Sequence, residues 1–149
     1  MKPLNEKVPL MSFIKSLSLK STILGALFFI MSQTAATAAN GTLVLETSQG
    51  QIEIEMLPDV APMHVARISE LASSGFYDGI IFHRIIAGFM AQTGDPTGTG
   101  MGGSGKKLRA EFSDYQYREG TVGMARSMDP NSSYSQFFIC FSSFGHLTG

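Results

Sequence analysis

The stretch FHRIIAGFMAQTGD, residues 82–95, sets one cation, Arg84, in an otherwise apolar run and follows it with Phe89, Met90 and Gln92. A guanidinium holds its charge inside a protein and offers five donors in a fixed fork. Side chains alternate along a strand, so Arg84 shares a face with Phe82 and Ile86, while Met90 and Gln92 share a face of the next strand. Pairing of the two strands through Ala87 and Gly88 would bring a donor, an amide and an apolar wall together. The plainer reading is a surface arginine whose stem lies over apolar neighbours.

Other chemistries have less support. GMGGSGKK, Gly100 to Lys107, follows a phosphate loop up to its last position, where Lys107 replaces the hydroxyl residue that would hold magnesium. No apolar helical period follows in LRAEFSDY, so a helix N-terminus facing a phosphate is not expected. His64, His83 and His146 share no ligand spacing and the chain has one Cys, so no metal site is expected. His64 falls on a helix and His83 within a strand, both as structural histidines. Cys140, in the apolar run QFFICF, reads as a small core residue that can form no internal disulfide.

These residues need a scaffold, and the spacing supplies one. TLVLETSQGQIEIEML alternates on either side of Ser48-Gln49-Gly50, a β-hairpin. In APMHVARISELASSG the period changes, with Val65, Ile68, Leu71 and Ala72 three and four apart. Pro62 suits the first helical turn and Gly75 the exit, which predicts one helix of about a dozen residues. IIFHRI and GFMAQTGD predict two strands, residues 94–107 a glycine-rich loop, GTVGMA a short strand and SQFFICF an apolar strand. Short strands, turn signals and one helix point to a mainly antiparallel barrel or sandwich.

The first residues read differently. Lys2, Lys7, Lys15 and Lys20 precede the apolar TILGALFFIM and the small-residue run SQTAATAAN. A positive region, a short apolar core and Ala36-Thr37-Ala38 are the three parts of a secretory signal peptide. Residues 1–38 are therefore expected to be removed, leaving 39–149 as one domain in the periplasm or outside the cell, with no stable membrane insertion. An uncleaved anchor and a buried core helix are the alternatives. The removed part carries four of the 11 Lys and Arg and one of the 12 Asp and Glu, leaving a net charge of −4. An acidic surface without basic clusters argues against nucleic acid as a partner.

FYDGIIFHRIIAGFMAQTGD, GTVGMARSMDPNSSYSQFFICF and the final HLTG resemble the cyclophilin family of peptidyl-prolyl isomerases, in particular its bacterial secreted branch. The resemblance runs from Thr42 to Gly149. It implies a mainly β fold, an eight-stranded antiparallel barrel closed by two capping helices. About forty residues of the family pattern are missing after HLTG, so the resemblance also implies a barrel incomplete at the C-terminus. Carried over residue by residue, Arg84 is the catalytic arginine, and Phe89, Met90 and Phe138 are the walls of a proline pocket. Gln92 holds the substrate backbone, Ala125 and Gln136 line the neighbouring subsite, and Leu147 is the pocket's outer leucine. His146 stands where many members have tryptophan, Arg126 where asparagine is common and Thr93 where glycine is frequent. The implied activity is rotation of X-Pro bonds in exported polypeptides, by a monomer without cofactor or metal. A non-catalytic proline-binding or chaperone-like module and an inactive remnant are the alternatives.

Overall fold

The computed structural model describes residues 41–147. The expected signal peptide, 1–38, lies outside the described residues. Strand β1 (Thr42–Thr47) and β2 (Gly50–Glu55) form the expected hairpin, closed by Ser48 and Gln49 with Thr47 opposite Gly50. Thr47 supports the turn, its Oγ1 donating to the Gly50 carbonyl at 2.6 Å and accepting from the Gln49 N–H at 3.1 Å.

Helix α1 (Pro62–Ser73) begins on proline, as its sequence predicts, and buries Ile68 and Leu71. Ala61 supplies no side-chain cap. The first turn is capped from a distance instead: the Glu111 carboxylate accepts the backbone N–H of Met63 and of His64, each at 2.9 Å. At the other end Gly75 N–H donates to Ala72 O and Phe76 N–H to Leu71 O, which closes the last turn.

The second sheet has the order β3 (Arg84–Ile86), β4 (Met90–Thr93), β6 (Phe137–Cys140), β5 (Val122–Met124), all antiparallel. A turn over Ile86-Ala87-Gly88-Phe89 joins β3 to β4, with Phe89 N–H on Ile86 O and Gly88 at φ 71°, a conformation that favours glycine. Opposite residues share a face. One row, Arg84, Gln92, Phe138 and Gly123, therefore points one way, and the next, Ile85, Ala91, Ile139 and Val122, points the other. On its β5–β6 side the second face joins the core, where Phe137 packs with Ile54, Met56 and Ile68, and Val122 and Met124 lie against them, while Ile85 on the edge strand is exposed.

One expectation is met in part and one needs correction. Of the expected eight-stranded antiparallel barrel with two capping helices, incomplete at the C-terminus, the described residues form six strands in two antiparallel sheets, one α-helix and a 3-10 turn over Gly145–Leu147. The sheets do not close on each other: the hairpin meets the second sheet through side chains of the core, not through a ladder. His83, expected within a strand, precedes β3, because pairing with β4 begins only at Arg84. The preceding backbone is held otherwise, the Ile81 carbonyl accepting the buried Thr93 hydroxyl at 3.0 Å.

Candidate active site

The sheet face opposite the core opens into a cleft of about 360 Å³. Arg84 from β3, Met90 and Gln92 from β4 and Phe138 from β6 line it. Phe89 from the β3–β4 turn, Ala125 just past β5 and Leu147 from the 3-10 turn complete the walls. Seven of the eight residues singled out in the sequence thus meet at one cleft. Gln136, the eighth, does not line it and reaches it through Gln92, whose Nε2 donates to Gln136 Oε1 at 2.7 Å.

Register explains the central pair. Arg84 stands directly opposite Gln92, and its Nη1 donates to Gln92 Oε1 at 3.3 Å. Around this polar pair the walls are apolar. Met90 is 2% exposed, and the Phe89 ring meets Phe144 edge-on at 4.8 Å. Phe144 in turn meets the His146 ring at 5.9 Å, so the chain after β6 supports the pocket wall. The arrangement sets an exposed guanidinium beside apolar walls.

Behind the pair lies the glycine-rich loop, ordered by Asp95. This carboxylate is 1% exposed and accepts N–H groups from Thr97 (2.7 Å), Thr99 (3.1 Å), Gly100 (2.6 Å) and Gly102 (3.1 Å), with the Thr97 hydroxyl at 2.8 Å. Burial pushes the Asp95 carboxyl up. The hydrogen bonds from Thr97, Gly102 and Gly100 outweigh it and hold the group well below the usual carboxylate range. No helix follows Lys107, and Leu108 makes only an isolated bridge to Ser133, so the phosphate-loop pattern lacks its helix.

The remaining candidates are structural. His64 Nε2 lies 3.0 Å from the Arg109 carbonyl and its Nδ1 lies 3.4 Å from Glu111, so the ring pins the loop to the helix N-terminus. Cys140 is 1% exposed and burial pushes its thiol up, which suits a core residue. Both ring nitrogens of His83 are buried with no hydrogen-bond partner among the described residues.

Three lining residues were not singled out as pocket walls: Tyr117, Met124 and Arg126. Tyr117 stacks on Phe138 with ring centres 5.9 Å apart and planes 16° apart. Nothing local in DYQYREG marks that contact. Met124 could have been found as the neighbour of Ala125 at a strand end.

Residues 42–149 match the family model described as cyclophilin type peptidyl-prolyl cis-trans isomerase/CLD. A Brucella suis protein described as a probable peptidyl-prolyl cis-trans isomerase is 45% identical over 152 residues, covering 93% of this chain and 77% of the relative. A Synechococcus elongatus peptidyl-prolyl cis-trans isomerase is 45% identical over 106 residues, 71% of this chain and 72% of its own. Among solved structures, a Cryptosporidium parvum cyclophilin-type isomerase in the presence of the dipeptide Ala-Pro superposes with a TM-score of 0.70 at 36% identity. The match covers 73% of each chain. The motifs around Arg84 and Phe138, the sheet that pairs them and these relatives agree: the chain belongs to the cyclophilin-type peptidyl-prolyl cis-trans isomerase family.

Proposed function

We propose that the chain performs the family's peptidyl-prolyl isomerisation by holding a proline ring between Phe89, Met90 and Phe138 while Arg84 addresses the nitrogen of the rotating bond. Rotation about a peptide bond costs about 18–20 kcal/mol because resonance gives the C–N bond double-bond character. As the bond twists, resonance is lost and a lone pair develops on the prolyl nitrogen. A donor placed there is worth more in the twisted state than in the planar one, which is what lowers a barrier. A charge-assisted hydrogen bond contributes roughly 1.5–3 kcal/mol, or about one to two orders of magnitude in rate. Arg84 is exposed in the free protein, so a bound peptide must cover it for the bond to reach that strength. The apolar walls supply this cover, and Gln92 grips the flanking backbone.

The observation that carries the reading is the Arg84–Gln92 pair, opposite each other in register in a cleft that Phe89, Met90 and Phe138 also line. Arg84→Ala is expected to lower kcat/KM for a short X-Pro peptide by at least about tenfold with its thermal melt unchanged. A folded variant of undiminished activity would end the reading.

The location and state of the protein rest on the sequence. The run of Lys2, Lys7, Lys15 and Lys20, the apolar TILGALFFIM and Ala36-Thr37-Ala38 support export with cleavage after Ala38 and action on exported clients. Mass spectrometry of the mature N-terminus tests this, and a membrane fraction retaining TILGALFFIM would overturn it. The resemblance supports a monomer whose two sheets are parts of an eight-stranded antiparallel barrel with two capping helices. Light scattering showing a dimer would remove the first, and a crystal structure in which the two sheets stack as a sandwich would remove the second.

A further inference from the structure

The Arg84–Gln92 pair is one end of a longer polar chain. Gln136 Nε2 donates to two backbone carbonyls of the glycine-rich loop, Gly100 O at 3.1 Å and Gly102 O at 2.6 Å. The N–H groups of the same two residues donate to Asp95. The order is therefore Asp95, loop backbone, Gln136, Gln92, Arg84.

This chain has a direction. Backbone carbonyls only accept, so the nitrogen of the Gln136 amide must face Gly100 and Gly102, and its oxygen is left to face Gln92. Gln92 must then present nitrogen to Gln136 and oxygen to Arg84. A glutamine side chain alone has no such preference, since its amide can rotate by half a turn. Rotated, the Gln92 amide would set N–H groups against the guanidinium, donor against donor, and displace it from the cleft mouth.

We propose that Asp95 and Gln136 are positioning residues for catalysis: by fixing the loop carbonyls and then the two amides, they impose the orientation of Gln92 that holds Arg84 in place. Asp95 makes no contact with the cleft. Its carboxylate draws four N–H groups to one side of the loop, and the carbonyls of Gly100 and Gly102 face the other way, toward Gln136. The inference rests on Arg84 acting on the rotating bond, as proposed above.

Gln136→Glu tests the direction of the chain. Ionised, the introduced carboxylate has no donor for the two carbonyls. Protonated, it recovers one O–H donor while its other oxygen still accepts from Gln92. Near pH 7.5 the variant is expected to show kcat at least about tenfold below wild type with KM within about threefold. The variant-to-wild-type ratio of kcat should rise at least about fivefold as pH falls to 5, toward the ordinary carboxyl range. A folded variant with full kcat at pH 7.5, or a loss that is the same at every pH, overturns the proposal.

Asp95→Asn tests the far end. It should lower kcat by about tenfold, and combining it with Gln136→Glu should cost little more, because both break one chain. Multiplying losses, or unchanged kcat in folded protein, overturns the role of Asp95. If Asp95→Asn does not fold, Thr97→Val removes one donor from the carboxylate at nearly constant volume. A two- to threefold fall in kcat, of the order left by one weakened hydrogen bond, is then expected, and unchanged kcat overturns the role. Activity retained in Arg84→Ala would instead locate the failure in the reading of the arginine itself.

Discussion

Asp95 and Glu111 each use one carboxylate to order irregular backbone, and they do so over different distances. Asp95 gathers N–H groups from Thr97 to Gly102, no more than seven residues away, and is sealed from water. Glu111 reaches back 47 and 48 residues to the first turn of α1, with His64 beside it. The local carboxylate shapes a loop that backs the Arg84–Gln92 pair. The distant one ties that loop's continuation to the scaffold. The same chemistry thus serves precision in one place and closure in the other, and loss of each should show in a different measurement.

The largest expected effect is on the local side. Asp95→Ala removes a buried carboxylate and leaves four backbone N–H groups of a half-exposed loop without their acceptor, at about 1–3 kcal/mol for each that stays shielded from water. A loss of at least about 3 kcal/mol by urea denaturation is expected. A loss under about 1 kcal/mol would remove the contrast with Glu111.

Acid should expose the same asymmetry in wild type. The Asp95 carboxyl is held below its unfolded value, so the stability it contributes is present above about pH 4 and is lost as pH falls toward its folded value. The melting temperature should therefore drop by several degrees between about pH 4.5 and 2.5. A flat profile across that window would count against the buried carboxylate.

The smallest effect belongs to the distant side. Glu111→Ala removes a helix N-terminal acceptor, which costs about 0.5–2 kcal/mol. The folded variant should keep kcat/KM within about twofold, since Glu111 touches none of the Asp95–Arg84 chain. A tenfold fall in activity with little loss of stability would show that the two loops are not separable.

Sequence distance also decides what could be read in advance. The hairpin, α1 and the β3–β4 pair depend on periodicity and single turns, so their residues announce themselves locally. Arg84 and Gln92 are eight residues apart across one turn, and alternation alone sets them opposite. The Gln92–Gln136 bond spans 44 residues, and the Glu111 cap more, so no local pattern marks either. Residues 80–83 of the run IIFHRI were legible as a strand but not as irregular. Their backbone follows Thr93 and the loop over His83 instead of a ladder. The roles of the pocket residues came from resemblance to a family, which spacing could not have supplied.

The stack of Tyr117 on Phe138 has a consequence for how this pocket can change by mutation. A Cβ at Gly123 would lie 2.5 Å from the Tyr117 oxygen, 2.6 Å from its ring and 2.9 Å from Phe138 Cζ. Position 123 is therefore closed to any side chain while Tyr117 keeps its place. The two positions form an ordered pair: a smaller residue at 117 removes the two nearest contacts and leaves only the tip of Phe138 to give way, whereas enlarging 123 first presses on both rings of the stack. Gly123→Ser should lose activity alone and regain part of it in the Tyr117→Ala background, whose own loss sets the ceiling. Equal harm in both backgrounds would mean the pair is free to change in either order. Of the two orders of change that reach a polar side chain at 123, the one beginning at Tyr117 meets only the tip of Phe138, while the other meets both rings at once.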